Sequence, residues 1–280
     1  MARIRVVTDS ASDLPESFAT SLDIDIVSLT IRFGDEEFVD RTDLTPDAFW
    51  AKCKVSKTLP ETAAPSPGAF QAAYERAKSD GFDGVVVLTL SSLLSATYQS
   101  ASLAAEAVEG TIDVKVIDTL NVSMGEGLLV IEAAELAKTG ATIDEIVAHT
   151  NQLIKRSGVV ATLDTLDHLI KGGRIGGAKA LLGQVLSIKP LIELKDGVVG
   201  EAGRQRTRAK ALAAVANVAA SHAPLRRLAL INGGASDVAT LEALVRDIKT
   251  EYPIIVTDIG PVVGTHGGPG IIGLCWIEAK

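Results

Sequence analysis

From Ile4 to Asp118 short β-rich runs alternate with stretches of helical periodicity, an order that folds into a mainly parallel sheet joined by helical crossovers. Strands are predicted at Ile4–Thr8, Ile24–Ile31, Gly84–Leu90 and Val114–Asp118. Helices are predicted at Pro15–Ser21, Pro46–Lys54, Pro67–Ser79 and Ser95–Glu109, three of them opening on a proline, which a first helical turn tolerates. Phe33–Phe38 has the form of a small hairpin, and alanine-rich helices at Met124–Thr139 and Ile143–Ser157 complete a first α/β domain over residues 1–157.

The rest reads differently. It begins near Gly158–Leu163 and has strands at Leu191–Leu194 and Val198–Glu201, joined through Lys195-Asp196-Gly197, a hairpin turn signal. Helices at Arg206–His222 and Ala235–Lys249 alternate with strands at Arg227–Ile231 and Ile254–Ile259. The expected fold class is therefore α/β, an N-terminal mainly parallel sheet with flanking helices plus a C-terminal α+β domain over residues 158–280. A chain of 280 residues can bury two cores, with one large α/β domain as the alternative.

Net charge −8 opposes a general nucleic-acid surface and leaves only local basic patches. Lys171, Arg174, Lys179 and Lys189 form one; Arg204, Arg206, Arg208 and Lys210 form another, which reads as a solvated face. No apolar run approaches the roughly 20 residues of a membrane span, and the chain enters at Arg3–Thr8 without a signal-like apolar region. Cys53 and Cys275 are too few and too far apart for a metal site, so no metal is expected and a reducing cytoplasm fits.

Chemistry-bearing residues gather where strands end, the position at which α/β folds bind ligands. Leu90–Ser100 follows an apolar strand with a run of hydroxyls at a helix start, where free backbone N–H groups and the helix dipole favour an anion; the same hydroxyls serve equally as N-caps. Thr8–Pro15 offers aspartates and serines for capping by Ser12 or Asp13, for a metal, or for lining a cleft. Thr58–Gly68, held extended by its prolines, presents Thr62. Lys171–Lys179 surrounds Arg174 with glycines, which suits either close packing or a guanidinium reaching an anion. His266 sits in a glycine-lined turn, while His149, His168 and His222 fall on helical patterns. No P-loop, Gly-x-Ser-x-Gly elbow, zinc motif or Cys-x-x-Cys pair is present, and no catalytic residue is assigned.

Taken in order, Thr8–Pro15, Thr62–Gly68, Ser91–Ser100, Lys171–Ile175 and Gly260–His266 resemble the motifs of the DegV family of bacterial lipid-binding proteins. The resemblance runs from Val7 to Leu274 and implies a two-domain DegV-like protein that encloses a long-chain fatty acid, with no further cofactor. It implies that the carboxylate is held by the hydroxyls of Thr62 and Ser95, with Ser92 nearby, and that Arg174 and His266 serve the head group or partner docking. It further implies the role of the lipid-binding subunit of fatty acid kinase: a carrier that presents its acid to a separate ATP-dependent kinase for acyl-phosphate formation. No nucleic-acid partner is expected, and transient contact with a membrane surface is. The chain departs from the family where Ala63-Ala64 replaces Ser-Gln, where Ala96 replaces a glycine, and where Gly267 replaces a threonine. Two other readings stand beside the carrier: a hydrolase pairing Ser95 with His266 or a phosphotransferase, and a lipid-responsive regulator.

Overall fold

A computed structural model describes residues 2–181 and 188–280. The first sheet runs in the order Ile24–Val27, Ile4–Asp9, Gly84–Thr89, Asp113–Asp118 and is wholly parallel, with the third to fifth strands of the chain set apart in a small sheet of their own. In chain order the elements are β1 (Ile4–Asp9), α1 (Glu16–Leu22), β2 (Ile24–Val27), β3 (Thr30–Phe33), β4 (Glu36–Val39), α2 (Pro46–Val55), β5 (Glu61–Ala63), α3 (Pro67–Ser79), β6 (Gly84–Thr89), α4 (Thr97–Ala107), β7 (Asp113–Asp118), α5 (Met124–Lys138) and α6 (Ile143–Ile154). Then follow β8 (Ser157–Thr162), α7 (Asp167–Lys171), β9 (Lys189–Lys195), β10 (Val198–Gln205), α8 (Arg208–Ser221), β11 (Leu225–Asn232), α9 (Val238–Val245), β12 (Ile255–Asp258), α10 (Pro261–Gly267) and β13 (Ile272–Glu278). A six-stranded second sheet, β10-β9-β8-β13-β11-β12, is antiparallel except for its β11–β12 edge. The mixed α/β class, with a parallel first sheet and a second sheet-bearing domain, is as the sequence predicts.

The two sheets share one core. Helix α5 is buried without interruption from Met124 to Ala134 and packs on β1 and β6 on one side and on β8, β11 and β13 on the other. Its sequence has no polar stripe because none of its faces over that length meets water. Gly125 lets it approach β8 closely: a Cβ there would overlap Val159 Cγ2. Glu132, inside this layer, receives Arg226 Nε at 2.8 Å and Arg227 Nε at 2.5 Å and ties α5 to β11. The outer faces are covered by α3 and α4 on the first sheet and by α8 and α9 on the second.

Several elements depart from the sequence expectation. The predicted strand Ile24–Ile31 divides into β2 and β3 in different sheets, because Leu29 N–H donates to Ser10 Oγ at 3.0 Å and Leu29 O accepts from Asp40 N–H at 3.0 Å. With both of its backbone groups engaged by loops, Leu29 leaves the parallel ladder and starts the small β4-β3-β5 sheet. Thr58–Gly68 is not all loop, since β5 pairs with β3 and puts Thr62 opposite Ile31. The predicted cap of the first long helix is absent: α1 follows Pro15 with no side-chain cap, and Asp9 instead caps the 3-10 turn Ser10–Ser12 through Ala11 N–H. Helix α9 begins three residues late because Asp237 gives its carboxylate to Arg208. Arg208 is thus no solvated charge, in contrast to the expectation for its patch. The His266 segment is a short helix, α10, opened by Pro261 at its first turn, and not an irregular turn.

Candidate functional site

In the parallel sheet, β1 is flanked by β2 on one side and β6 on the other, so the chain reverses its direction of winding between β1 and β6. Crevices at such points collect ligands, because the loops leaving the two strands diverge to opposite faces. The loops here are Thr8–Pro15 and Leu90–Ala96, and they are bonded to each other: Leu90 N–H donates to Asp9 Oδ2 at 2.9 Å.

A cavity of about 220 Å³ opens beside this point. Its walls are mainly aliphatic, with Leu90 and Leu94 from the first half facing Val159, Ala161, Ile192 and Ile231 from the second sheet. Thr62, Ser95, Arg174 and His266 all line it, so four of the five residues singled out in the sequence converge from β5, the turn before α4, the loop after α7, and α10. Ser92 does not join them. The turn is fixed by Leu94 and Ser95 N–H groups donating to Ser91 O, and α4 starts only at Thr97, which leaves Ser92 exposed outside the cavity with its N–H on Asp118 Oδ1.

Each of the two cavity hydroxyls has an internal partner. Thr62 Oγ1 lies 2.9 Å from His266 Nε2, and Ser95 Oγ lies 2.9 Å from Thr97 Oγ1 while accepting from Thr97 N–H at 3.3 Å. Ala96, the N-cap of α4, offers no side-chain cap, and Ser95 just before it takes the first helical N–H while lining the cavity. Burial, together with the charges of Arg174 and His168, lowers the His266 pKa to about 4, so its ring is neutral at physiological pH. A neutral ring protonated at Nε2 donates to Thr62 Oγ1 and leaves the Thr62 O–H free to donate into the cavity. Thr97 O–H can do the same for Ser95. His266 is bonded to Thr62 and not to Ser95, so the nucleophile–base pair a Ser95 hydrolase needs is not assembled.

Arg174 sits between these groups, donating from Nε to Leu94 O at 3.0 Å and from Nη1 to Gly172 O at 2.6 Å. Gly172 has no Cβ, and one there would overlap His266 Nδ1, so glycine is what lets the imidazole settle against the α7 turn. His168 Nδ1 lies 3.0 Å from Thr265 O and joins α7 to α10 behind the site.

The Thr8–Pro15 motif supplies no lining residue and acts one layer back. Asp13 accepts from Ser123 Oγ at 2.5 Å and from Gly260 N–H at 2.8 Å, holding the cavity residue Ser123 at φ 55°, ψ −146° beside the segment that starts α10. Thr8 Oγ1 donates to Glu126 Oε1 at 2.8 Å. Burial raises Asp9 and Asp13 to about 7 and raises Glu126 well above the usual carboxylate range, with Asp9 adding to the effect on Glu126. The low aromatic content of the sequence, 4%, suits an aliphatic-lined cavity, but sequence reasoning named none of its wall residues, since Val159, Ile192 and Ile231 come from strands whose pattern gives no sign of an empty space beside them. Among the described residues no helix is long and apolar enough to cross a membrane, and no group of acidic, histidine or cysteine side chains is arranged to hold a metal ion.

A family profile described as "Uncharacterised protein, DegV family" matches residues 3–279. The chain is 35% identical over 286 residues to a DegV domain-containing protein of Halalkalibacterium halodurans, covering all of both chains. Among solved structures it resembles a DegV family protein from Thermus thermophilus described by its fatty acid binding, at 34% identity and TM-score 0.91, over 99% of this chain and 100% of that one. It also resembles a stearic acid-binding protein from Eubacterium ventriosum, at 27% identity and TM-score 0.86, over 99% and 98% of the two chains.

Proposed function

This chain belongs to the DegV family, and from that membership and the cavity together we propose that it binds a long-chain fatty acid. The observation that carries the reading is a pair of cavity hydroxyls, Thr62 and Ser95, each with an internal donor available to fill an acceptor site, at the rim of an aliphatic space. With those donors engaged, both hydroxyls are free to donate outward, which is what a buried carboxylate requires. The acyl chain contributes roughly 0.8 kcal/mol per methylene removed from water, so affinity grows with chain length without help from charge. Ser92 is left out of the proposed site.

The proposal extends to the carrier role: the protein delivers the acid to a separate ATP-dependent kinase, which forms the acyl phosphate, with brief contact at a membrane surface to load or unload. The family resemblance supports this. Native mass spectrometry of the purified protein incubated with hexadecanoic acid is expected to give a one-to-one complex. Thr62→Val and Ser95→Ala are each expected to weaken retention about tenfold, in line with loss of a hydrogen bond to a charged group. Unchanged retention in both variants overturns the assignment of these hydroxyls, and absence of any complex overturns fatty acid binding. Acyl phosphate should form only when kinase and ATP are added; turnover by the protein alone would point to an enzyme.

A further inference from the structure

The head-group end of the cavity is assembled from segments far apart in the chain, and one side chain bridges two of them. Arg174 donates from Nε to the carbonyl of Leu94 and from Nη1 to the carbonyl of Gly172. Leu94 directly precedes Ser95. On its N-terminal side this turn is anchored by Ser91, whose O accepts from the N–H groups of Leu94 and Ser95 and whose Oγ donates to Gly197 O at 2.7 Å. Helix α4 begins only at Thr97, so the Leu94 carbonyl lies outside the helical ladder and is held by the guanidinium. Gly172, the other acceptor, ends α7 and forms the surface against which the His266 imidazole packs. One planar group therefore spans from the peptide that aims Ser95 to the wall behind the ring that orients Thr62.

We propose that Arg174 is a positioning residue for the carboxylate site, holding the Ser95 turn and the His266 wall in register through two neutral carbonyls, and is not the ion-pair partner of the bound acid. The inference rests on the fatty acid reading above. An arginine that grips a carboxylate side-on uses Nε and an Nη together, and here Nε is engaged by Leu94. The rigid fork of a guanidinium can serve two carbonyls in different directions; a lysine ammonium on a flexible stem keeps the charge but not that geometry.

The test compares two probes of one chain length, hexadecanoic acid and hexadecan-1-ol, on the full chain and on Arg174→Gln and Arg174→Lys. A positioning role predicts that both variants lose affinity for acid and alcohol by the same factor, about tenfold or more for two hydrogen bonds. The thermal midpoint of the unliganded protein should stay within a few degrees of the parent, while the His266 imidazole resonances shift in both variants. Loss confined to the acid, with Arg174→Lys retaining parental affinity, overturns the proposal in favour of an ion pair. Failure of both variants to fold also overturns it, making Arg174 a residue of general stability. A parent protein that binds neither probe overturns the fatty acid reading itself, a result distinct from a parent that binds both while the variants discriminate.

Discussion

At the residue scale the unusual chemistry lies behind the cavity wall. Asp9, Asp13 and Glu126 are fully buried, and Glu126 has one oxygen, Oε2, with no partner. A carboxyl whose pKa is higher folded than unfolded holds its proton in the native state after the unfolded chain has released it. Its contribution is therefore fully present below about pH 4 and is lost as pH rises toward the folded pKa. His266 acts in the opposite sense, because its pKa is lowered: its contribution is complete above about pH 6.5 and is lost as pH falls toward 4. Glu126→Gln separates the two, since His266 is common to both proteins and the amide cannot ionise. Urea unfolding between pH 5 and 8 is expected to give a shallower decline of stability with pH for Glu126→Gln than for the parent. Identical slopes would mean that Glu126 is already ionised in the folded protein.

At the scale of the element, α5 determines how the two sheets meet. Its Glu132 accepts from Arg226 and Arg227, and the Arg227 side chain is only 4% exposed. Removing the carboxylate leaves a buried guanidinium with Glu135 as its remaining close acidic partner, which costs more than the loss of an exposed ion pair. Glu132→Ala should lower unfolding free energy by about 3 kcal/mol or more in urea titrations. Glu132→Gln, which keeps an acceptor, should lower it by less. A change below about 1 kcal/mol for the alanine variant would assign the network to the solvent-screened class.

For the whole molecule, the relevant fact is a core that runs through both halves, from Ile4 and Val86 through α5 to Ile231 and Ile277. Sheets sharing one apolar layer should unfold together. A fatty acid held between them should then stabilise the whole chain, by about 2.7 kcal/mol at a free concentration 100 times its Kd. Thermal unfolding followed by circular dichroism and by fluorescence of Trp50 and Trp276 should give one transition that moves up intact with hexadecanoic acid. Two transitions, only one of them moved by ligand, would make the halves independent.

Much of this was legible in the sequence by itself. Alternating β-rich and helical runs with proline-opened helices determined the parallel sheet, because crossover connections follow from chain order and local periodicity. The ordered motifs determined the family and singled out Thr62, Ser95, Arg174 and His266, all four of which line one cavity. Tertiary structure alone decided what those residues do to one another. Ser92 and Ser95 are three positions apart and chemically alike, yet a turn locked on Ser91 puts only the second in the cavity. Thr8–Pro15 reads as a capping or ligand motif; Asp9 caps only a 3-10 turn, and the motif's aspartates also hold Leu90 and Gly260 N–H groups from loops about 80 and 250 residues away. The division of Ile24–Ile31 likewise depends on Ser10 and Asp40, neither of which is a neighbour in the strand. The reason is common to all three: local periodicity encodes which backbone groups can pair along the chain, while the partners that redirect a turn or orient a hydroxyl arrive from distant segments only when the core closes.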